Sequence, residues 1–243
     1  MENHFDADVA ATYDEDEAEM FSPEVLAPTI RCLAALADGG RALEFAIGTG
    51  RVALPLAAAG VEVHGIEFSP AMAAELRAKP GGEHLPVHLG DMATTRVDGD
   101  FALVYLVFNT IMNLTIQDAQ VACFANAAAH LRPGGRFVVE VMVPQVQRLA
   151  AGERFVPFSV TDDHIGLDEY DVVTQALVSH HVRTSAAGVT REPMPFRYVW
   201  PAELDLMARL AGLEFEHRWA DWSGAPFTAT SPSHISVWRR PTT

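Results

Sequence analysis

Between residues 42 and 143 the chain alternates short apolar runs with segments of helix length, and that alternation narrows the fold more than any other feature. Residues 42–47 precede a segment at 52–59, 61–66 precede 70–78, and 101–108 precede 117–131, with further short runs at 86–89 and 137–143. Strand, helix and strand at this spacing give βαβ crossovers, hence a parallel sheet with helices on both faces. The nearly unbroken apolarity of Ala102-Leu103-Val104-Tyr105-Leu106-Val107 and of Phe137-Val138-Val139 is what a strand covered on both faces requires. Arg132-Pro133-Gly134-Gly135 reads as the turn between the last helix and its strand. An earlier helix is expected over residues 23–37, where Val25, Leu26, Ile30, Leu33 and Leu36 recur at helical spacing before Gly39-Gly40.

From about Pro144 the texture changes. Alternating runs at 172–183 and 190–200, separated by a polar turn containing Gly188, predict an antiparallel meander added to the parallel sheet. A helix over 202–211 follows, with Pro201 at its start and Gly212 as its left-handed cap. Strands at 214–219 and 234–238 complete the chain. The expected architecture is therefore α/β, a doubly wound, mostly parallel seven-stranded sheet with an antiparallel β insertion after the fifth strand. Residues 1–143 form an N-terminal helical segment and core, 144–200 the insertion, and 201–243 the last helix and strands of the core sheet.

At 243 residues one large domain with a full core is expected. Asp and Glu number 32 against 17 Lys and Arg, for a formal charge of −15, which disfavours nucleic acid and anionic membrane surfaces as partners. No apolar run reaches the length of a membrane span. Residues 1–6 are acidic and lack the basic start of a signal peptide, so a cytoplasmic protein is expected. Cys32 and Cys123 sit in apolar, helix-like stretches without metal-ligand spacing, and no metal site is expected. Lys79 is the single lysine.

The chemistry is concentrated in Ala42-Leu43-Glu44-Phe45-Ala46-Ile47-Gly48-Thr49-Gly50-Arg51-Val52-Ala53. A strand runs into Gly48-x-Gly50 and then a helix, which opens backbone to the crevice at the carboxyl ends of parallel strands, where such sheets bind ligands. Three carboxylates fall near the ends of three consecutive strands: Glu44, Glu67 and Asp91. One at the second strand end can accept both hydroxyls of a ribose, and Asp91 lies where an adenine amino group would be reached. Glu44 would repel a pyrophosphate and attract an α-amino group or a sulfonium.

These segments resemble the class I S-adenosylmethionine-dependent methyltransferases of small-molecule type, which have a Rossmann-like fold. The family's first motif is an acid followed by glycines at alternate positions, and Glu44-x-Ala46-x-Gly48-x-Gly50 is similar, with Ala46 in place of the first glycine. Glu67 in His64-Gly65-Ile66-Glu67-Phe68-Ser69-Pro70-Ala71-Met72, then Gly90-Asp91-Met92 and Leu131-Arg132-Pro133-Gly134-Gly135, resemble the later motifs in order. The resemblance implies S-adenosyl-L-methionine as cofactor. It implies contacts from Tyr13, Glu44, Ala46, Gly48, Gly50, Glu67, Phe68, Met72, Asp91, Met92 and Phe108.

Competing chemistries fail on particular residues. A P-loop needs Gly-Lys-Ser/Thr, whereas the one lysine follows Ala78. The Tyr-x-x-x-Lys pair of a short-chain dehydrogenase would need tyrosine at position 75, which is Glu75. An NAD-linked oxidoreductase on the same glycine loop, or a non-catalytic cofactor-binding module, remain the alternatives.

The expected reaction is in-line methyl transfer to an amine or a hydroxyl of a small metabolite; the residues do not separate the two, because displacement draws on alignment, an amine needs only to lose a proton, and a hydroxyl usually needs a base or an oxyanion stabiliser. Tyr13-Asp14 resembles the tyrosine that relatives fold over the cofactor, and Phe108-Asn109 follows the fourth strand, where the family places acceptor contacts. Strand alternation puts Met194, Phe196, Tyr198 and Trp200 on one face, either as a pocket wall or as core. His180 and His181 point to opposite faces, so at most one can serve as a base, and His180 shares its face with Val178 and Val182. The candidate catalytic residues are His180, Asn109 and Tyr198, and Asn109, Tyr198 and Trp200 are the candidate acceptor contacts. The insertion is expected to act as a substrate lid over a small molecule, or as a homodimer element.

Overall fold

The computed structural model describes residues 3–186 and 188–242. A helix α1 (Ala7–Asp16) and a longer α2 (Pro23–Ala37) precede the first strand. Asp6 caps α1 by accepting from the Asp8 and Val9 amides. Pro23 opens α2 with its ring at a position whose N–H has no helical partner. The helix buries Leu26, Thr29, Leu33 and Ala37 on one face and ends at Asp38, in the left-handed conformation.

The core then alternates as expected: β1 (Ala42–Phe45), α3 (Ala53–Ala58), β2 (Val63–Glu67), α4 (Pro70–Ala78), β3 (Val87–Leu89), β4 (Phe101–Leu106), α5 (Gln117–His130) and β5 (Leu131–Met142). After the insertion come α6 (Pro201–Leu210), β10 (Glu214–Trp219) and β11 (Ser233–Arg239). Seven strands form one sheet in the order β10-β11-β5-β4-β1-β2-β3. The five strands β1 to β5 pair in parallel, and β11 and β10 add antiparallel at one edge. Strand order reverses between β1 and β4, which opens a crevice at their carboxyl ends. All six residues of β4 are buried, as its unbroken apolarity required. One hydrophobic cluster lies on each face of the sheet, around Leu43, Phe124 and Trp238 on one side and Leu33, Leu56 and Tyr105 on the other.

The antiparallel insertion after the fifth strand is present as expected: β6 (Phe155–Val160), β7 (His164–Tyr170), β8 (Ala176–Ser185) and β9 (Gly188–Arg197) form a separate antiparallel sheet in sequence order beside the seven-stranded one. Its third strand begins at Ala176 and not at 172, because Asp171 accepts from the Val173 amide and the Thr174 hydroxyl and turns the chain there. One expectation is corrected, for residues 132–135. They lie within β5, held in a register shift in which Phe101 pairs with Leu131 and Leu103 with Arg136.

The smaller sheet is anchored where β9 ends. Arg197 is 5% exposed and bonds to Gln120 of α5, Gln175 and Glu203 of α6. A buried guanidinium with this many acceptors fixes the angle at which the sheet leaves the core. Among the described residues, no helix is long and apolar enough to cross a membrane.

Candidate functional site

The crevice at the switch point is a partly enclosed cleft lined by Ala46, Gly48, Ile66, Glu67, Gly90 and Met92 from the ends of the parallel strands. Seven of the sequence-predicted cofactor residues line it: Tyr13, Ala46, Gly48, Glu67, Phe68, Met72 and Met92. Ser69 caps α4 by accepting from the Met72 amide at 3.3 Å, and so sets Phe68 and Met72 at the cleft mouth. The glycine loop turns through two left-handed residues, Ala46 at φ 53° and Gly48 at φ 57°. The first of these is where the family's glycine is replaced, so Ala46 carries a conformation that a Cβ disfavours.

Glu67 is the organising group. It is 5% exposed, yet it borders the cleft. Its Oε2 accepts from the Gly48 amide at 2.7 Å and its Oε1 from the Ser69 amide at 2.8 Å, while burial pushes its pKa up against those bonds. A carboxylate offers about four acceptor positions; the Gly48, Ser69 and Phe68 amides engage part of this capacity, and Glu67 still lines the cleft. Vicinal hydroxyls would donate to what remains, so the residues present fit the ribose of an adenosine cofactor.

The other two acids sit elsewhere. Glu44 is 3% exposed and is not among the residues lining the cleft. It accepts the Tyr105 hydroxyl at 2.8 Å, and burial pushes its pKa up to about 8. The charge expected to attract a cation is thus buried beneath the loop and held largely neutral. Asp91 accepts the Ala93 amide at 2.8 Å, and its neighbours Gly90 and Met92 are the residues that reach the cleft. Gly50 lies on the far side of the loop, where an added Cβ would run into Leu76 and meet Leu54 at 3.1 Å. Its glycine answers internal packing and a φ of 86°, rather than approach to a ligand.

A second cleft adjoins the first and shares Phe5, Tyr13, Thr110 and Asn113 with it. Phe108 and Asn109 line this second cleft. They are successive left-handed residues, φ 57° and 61°, a backbone conformation costly for Phe108 and one that Asn109 adopts more readily. Glu140 of β5 holds them there. One of its oxygens accepts the Phe108 amide at 2.9 Å, the other the Trp222 indole at 2.7 Å, and its backbone carbonyl accepts the Asn109 amide. Asn109 Oδ1 accepts the Met142 amide at 2.7 Å, so that oxygen braces the turn. Sequence reasoning missed Glu140, although a lone acid inside Val138-Val139-Glu140-Val141 was the available signal.

The insertion contributes a different set from the expected one. His180 pairs with Glu169 at 3.0 Å on the other face of the small sheet, away from the second cleft. His181 lines the cleft, stacks on His164 and exchanges a hydrogen bond with it at 3.1 Å. Burial lowers its pKa, with the neighbouring His164 and Arg183 adding to the effect and Glu192 opposing it. Met194 and Phe196 line the cleft as the alternation predicted. Tyr198 does not: it lies beyond the end of β9, 2% exposed, with its ring 5.4 Å from Tyr170. Trp200 is the N-cap of α6 and is 36% exposed. The pairing alternation ends at Arg197, so the pocket-wall reading stops at Phe196.

Tyr13 and Phe5 roof both clefts from α1 and the segment before it, with ring centroids 6.2 Å apart. Desolvation pushes the Tyr13 hydroxyl up to about 12, which keeps it a neutral donor.

Residues 42–135 match a family described as a methyltransferase domain. Over 96% of each chain, the sequence is 39% identical to the CcbJ methyltransferase from Streptomyces caelestis, whose structure superposes with a TM-score of 0.85. It is 28% identical over 206 residues, 84% of each protein, to the cypemycin N-terminal methyltransferase of a Streptomyces species. The fold is shared with CalS10, an amino pentose methyltransferase from Micromonospora echinaspora involved in calicheamicin biosynthesis, at a TM-score of 0.70, 24% identity and 99% coverage of both chains. With the switch-point cleft, the glycine loop and a full-length relative at this identity, the chain belongs to the class I S-adenosylmethionine-dependent methyltransferases.

Proposed function

We propose that this methyltransferase acts on an amine of a small molecule held in the second cleft. The observation that carries the reading is the chemistry of that cleft beside the cofactor cleft. Asp16, Glu17 and Glu192 outnumber the one full cation, Arg183, in its lining, which also includes Phe108, Met194 and Phe196, and this balance suits a cationic amine on an apolar frame. Two relatives support it by name, one a cypemycin N-terminal methyltransferase and one an amino pentose methyltransferase. A net charge of −15 argues for a metabolite over a nucleic acid. Two free cysteines, Cys32 and Cys123, support work in a reducing cytoplasm.

In this reading Glu67 takes the ribose hydroxyls, Gly48 and Ala46 let backbone approach the ligand, and Phe68, Met72 and Met92 pack the nucleoside. The bound cofactor supplies an electrophilic methyl on a sulfonium. Phe5 and Tyr13 exclude water above it, and Thr110 and Asn113, shared by both clefts, orient the acceptor nitrogen. His181, neutral because its pKa is lowered, takes at Nε2 the proton that the ammonium must lose, in place of its long contact with the Ser179 hydroxyl at 3.3 Å, while Nδ1 stays with His164. The insertion is the lid over the acceptor.

The test is calorimetry with S-adenosylhomocysteine and NADH, followed by methyl transfer to matched amine and alcohol libraries. Binding of S-adenosylhomocysteine alone and turnover confined to amines is the expected result. Transfer confined to alcohols would overturn the amine assignment, and binding without any transfer would favour a non-catalytic module.

A further inference from the structure

The single lysine of the chain is placed against the cofactor loop. Lys79 caps the C-terminus of α4, pairs through Nζ with Asp14 of α1, and donates to the Thr49 carbonyl at 2.7 Å. The Thr49 hydroxyl donates back to Asp14 Oδ1 at 2.6 Å. Three segments far apart in sequence thus close on one residue of the glycine loop, and that residue is 2% exposed.

The lysine and the carboxylate are 25% and 39% exposed, a setting in which an ion pair adds little to folding stability. Its location has a larger consequence. Tyr13, next to Asp14, and Phe5, whose carbonyl accepts the Ser69 hydroxyl, form the roof of the cofactor cleft. The floor is the loop that contains Thr49, between Gly48 and Gly50. A second tie, from Arg51 to the Met20 carbonyl at 3.3 Å, fastens the segment after α1 to the same loop. With roof and floor joined, lifting α1 to uncover the cleft breaks the bonds of Asp14.

We propose that Asp14 and Lys79 are positioning residues that clasp α1 onto Thr49, so that release of the cofactor is limited by opening of the clasp. The inference rests on the cofactor cleft assigned above. Because Val9, Tyr13, Asp16 and Glu17 of the same segment line the second cleft, a closed clasp also completes the acceptor site.

The experiment measures S-adenosylhomocysteine association and dissociation by stopped flow for the full chain and for Asp14→Asn, Lys79→Met, the double variant and Lys79→Arg. Melting temperature is recorded for each. Each single variant should release the ligand about tenfold faster or more, and the double variant no faster than Asp14→Asn, because Lys79 acts on α1 only through Asp14. Lys79→Arg should restore slow release, since it keeps the cation. Raising salt from about 0.05 to 0.5 M should speed release from the wild type and leave Lys79→Met unchanged. A purely structural role would lower melting temperature and leave these rates and their salt dependence alone. Folded variants that release at the wild-type rate, or effects that multiply in the double variant, overturn the clasp while leaving the cleft assignment standing. A wild-type protein that does not bind S-adenosylhomocysteine overturns both.

Discussion

Tyr105 donates its hydroxyl to Glu44 Oε2 at 2.8 Å, and the two residues are register partners on adjacent parallel strands, both buried. Desolvation pushes Glu44 up to about 8, against lowering influences from Tyr105, Arg51 and the Ala53 amide. The unfolded chain releases this proton near 4.5, whereas the native state keeps it until about 8. The stabilising contribution of this group is therefore fully present below 4.5 and is lost as pH rises towards 8. Glu44→Gln, which cannot ionise, should gain stability relative to wild type across that window, on the order of 1 kcal/mol per pH unit at the steepest point. Urea unfolding at several pH values checks this; a constant difference between the two proteins would remove the shift.

Glu67 holds the loop as well as facing the cleft, since it accepts from both Gly48 and Ser69. Glu67→Ala should weaken S-adenosylhomocysteine binding by about ten- to several hundred-fold, from a loss of roughly 1.5–3 kcal/mol. It should also lower the melting temperature, because two loop amides lose their acceptor. An unchanged dissociation constant in the folded variant takes Glu67 out of the site.

Ala46 and Gly50 should respond in opposite directions. Ala46 at φ 53° holds a conformation that costs a Cβ-bearing residue about 1–2 kcal/mol, so Ala46→Gly should stabilise by about 0.5–1 kcal/mol after the entropy of glycine is counted. That corresponds to about 1–4 °C in melting temperature. Gly50→Ala meets Leu76 and Leu54 at a positive φ and should cost about 2–4 kcal/mol. Measured below its melting point, it should still bind S-adenosylhomocysteine, because Gly50 faces away from the cleft. Calorimetry and melting on the same samples separate the two effects.

Within the insertion, neighbouring residues should separate into acceptor contacts and core. Tyr198→Ala should lose about 3–5 kcal/mol of stability, as truncation of a buried aromatic does, whereas Phe196→Ala should leave most of the stability and change turnover or acceptor preference. Equal losses of stability from both would return Phe196 to the core.

His181→Gln should reduce turnover with cofactor affinity unchanged, whereas His180→Gln, on the far side of the sheet, should leave turnover near wild type. Because the His181 pKa is lowered, wild-type turnover should fall only below the ordinary imidazole range as pH drops. A pH–rate profile of both variants on the accepted amine decides it; retention of the acid limb in His181→Gln assigns that limb to another group.

Residues near the strand ends made the cofactor half of this protein readable from sequence. A parallel sheet brings the carboxyl ends of its strands to one edge, so Gly48, Glu67 and Met92 had to converge whatever the side chains around them did. The periodicity of 3.6 and 2 fixed α2, α4 and the burial of β4 for the same local reason. Side-chain direction at the edge was not local. Whether Glu44 looked into the crevice or under it depended on Tyr105 from a strand sixty-one residues later, and the glycine at 50 on the position of Leu76. In the insertion, alternation correctly separated His180 from His181 but could not say which face would be turned to the cleft. Only the tertiary structure decided that, through the buried Arg197 that sets the small sheet against α5 and α6. The physical reason is that strand period gives relative facing within a sheet, whereas the docking of one sheet on another is set by contacts between residues distant in the chain.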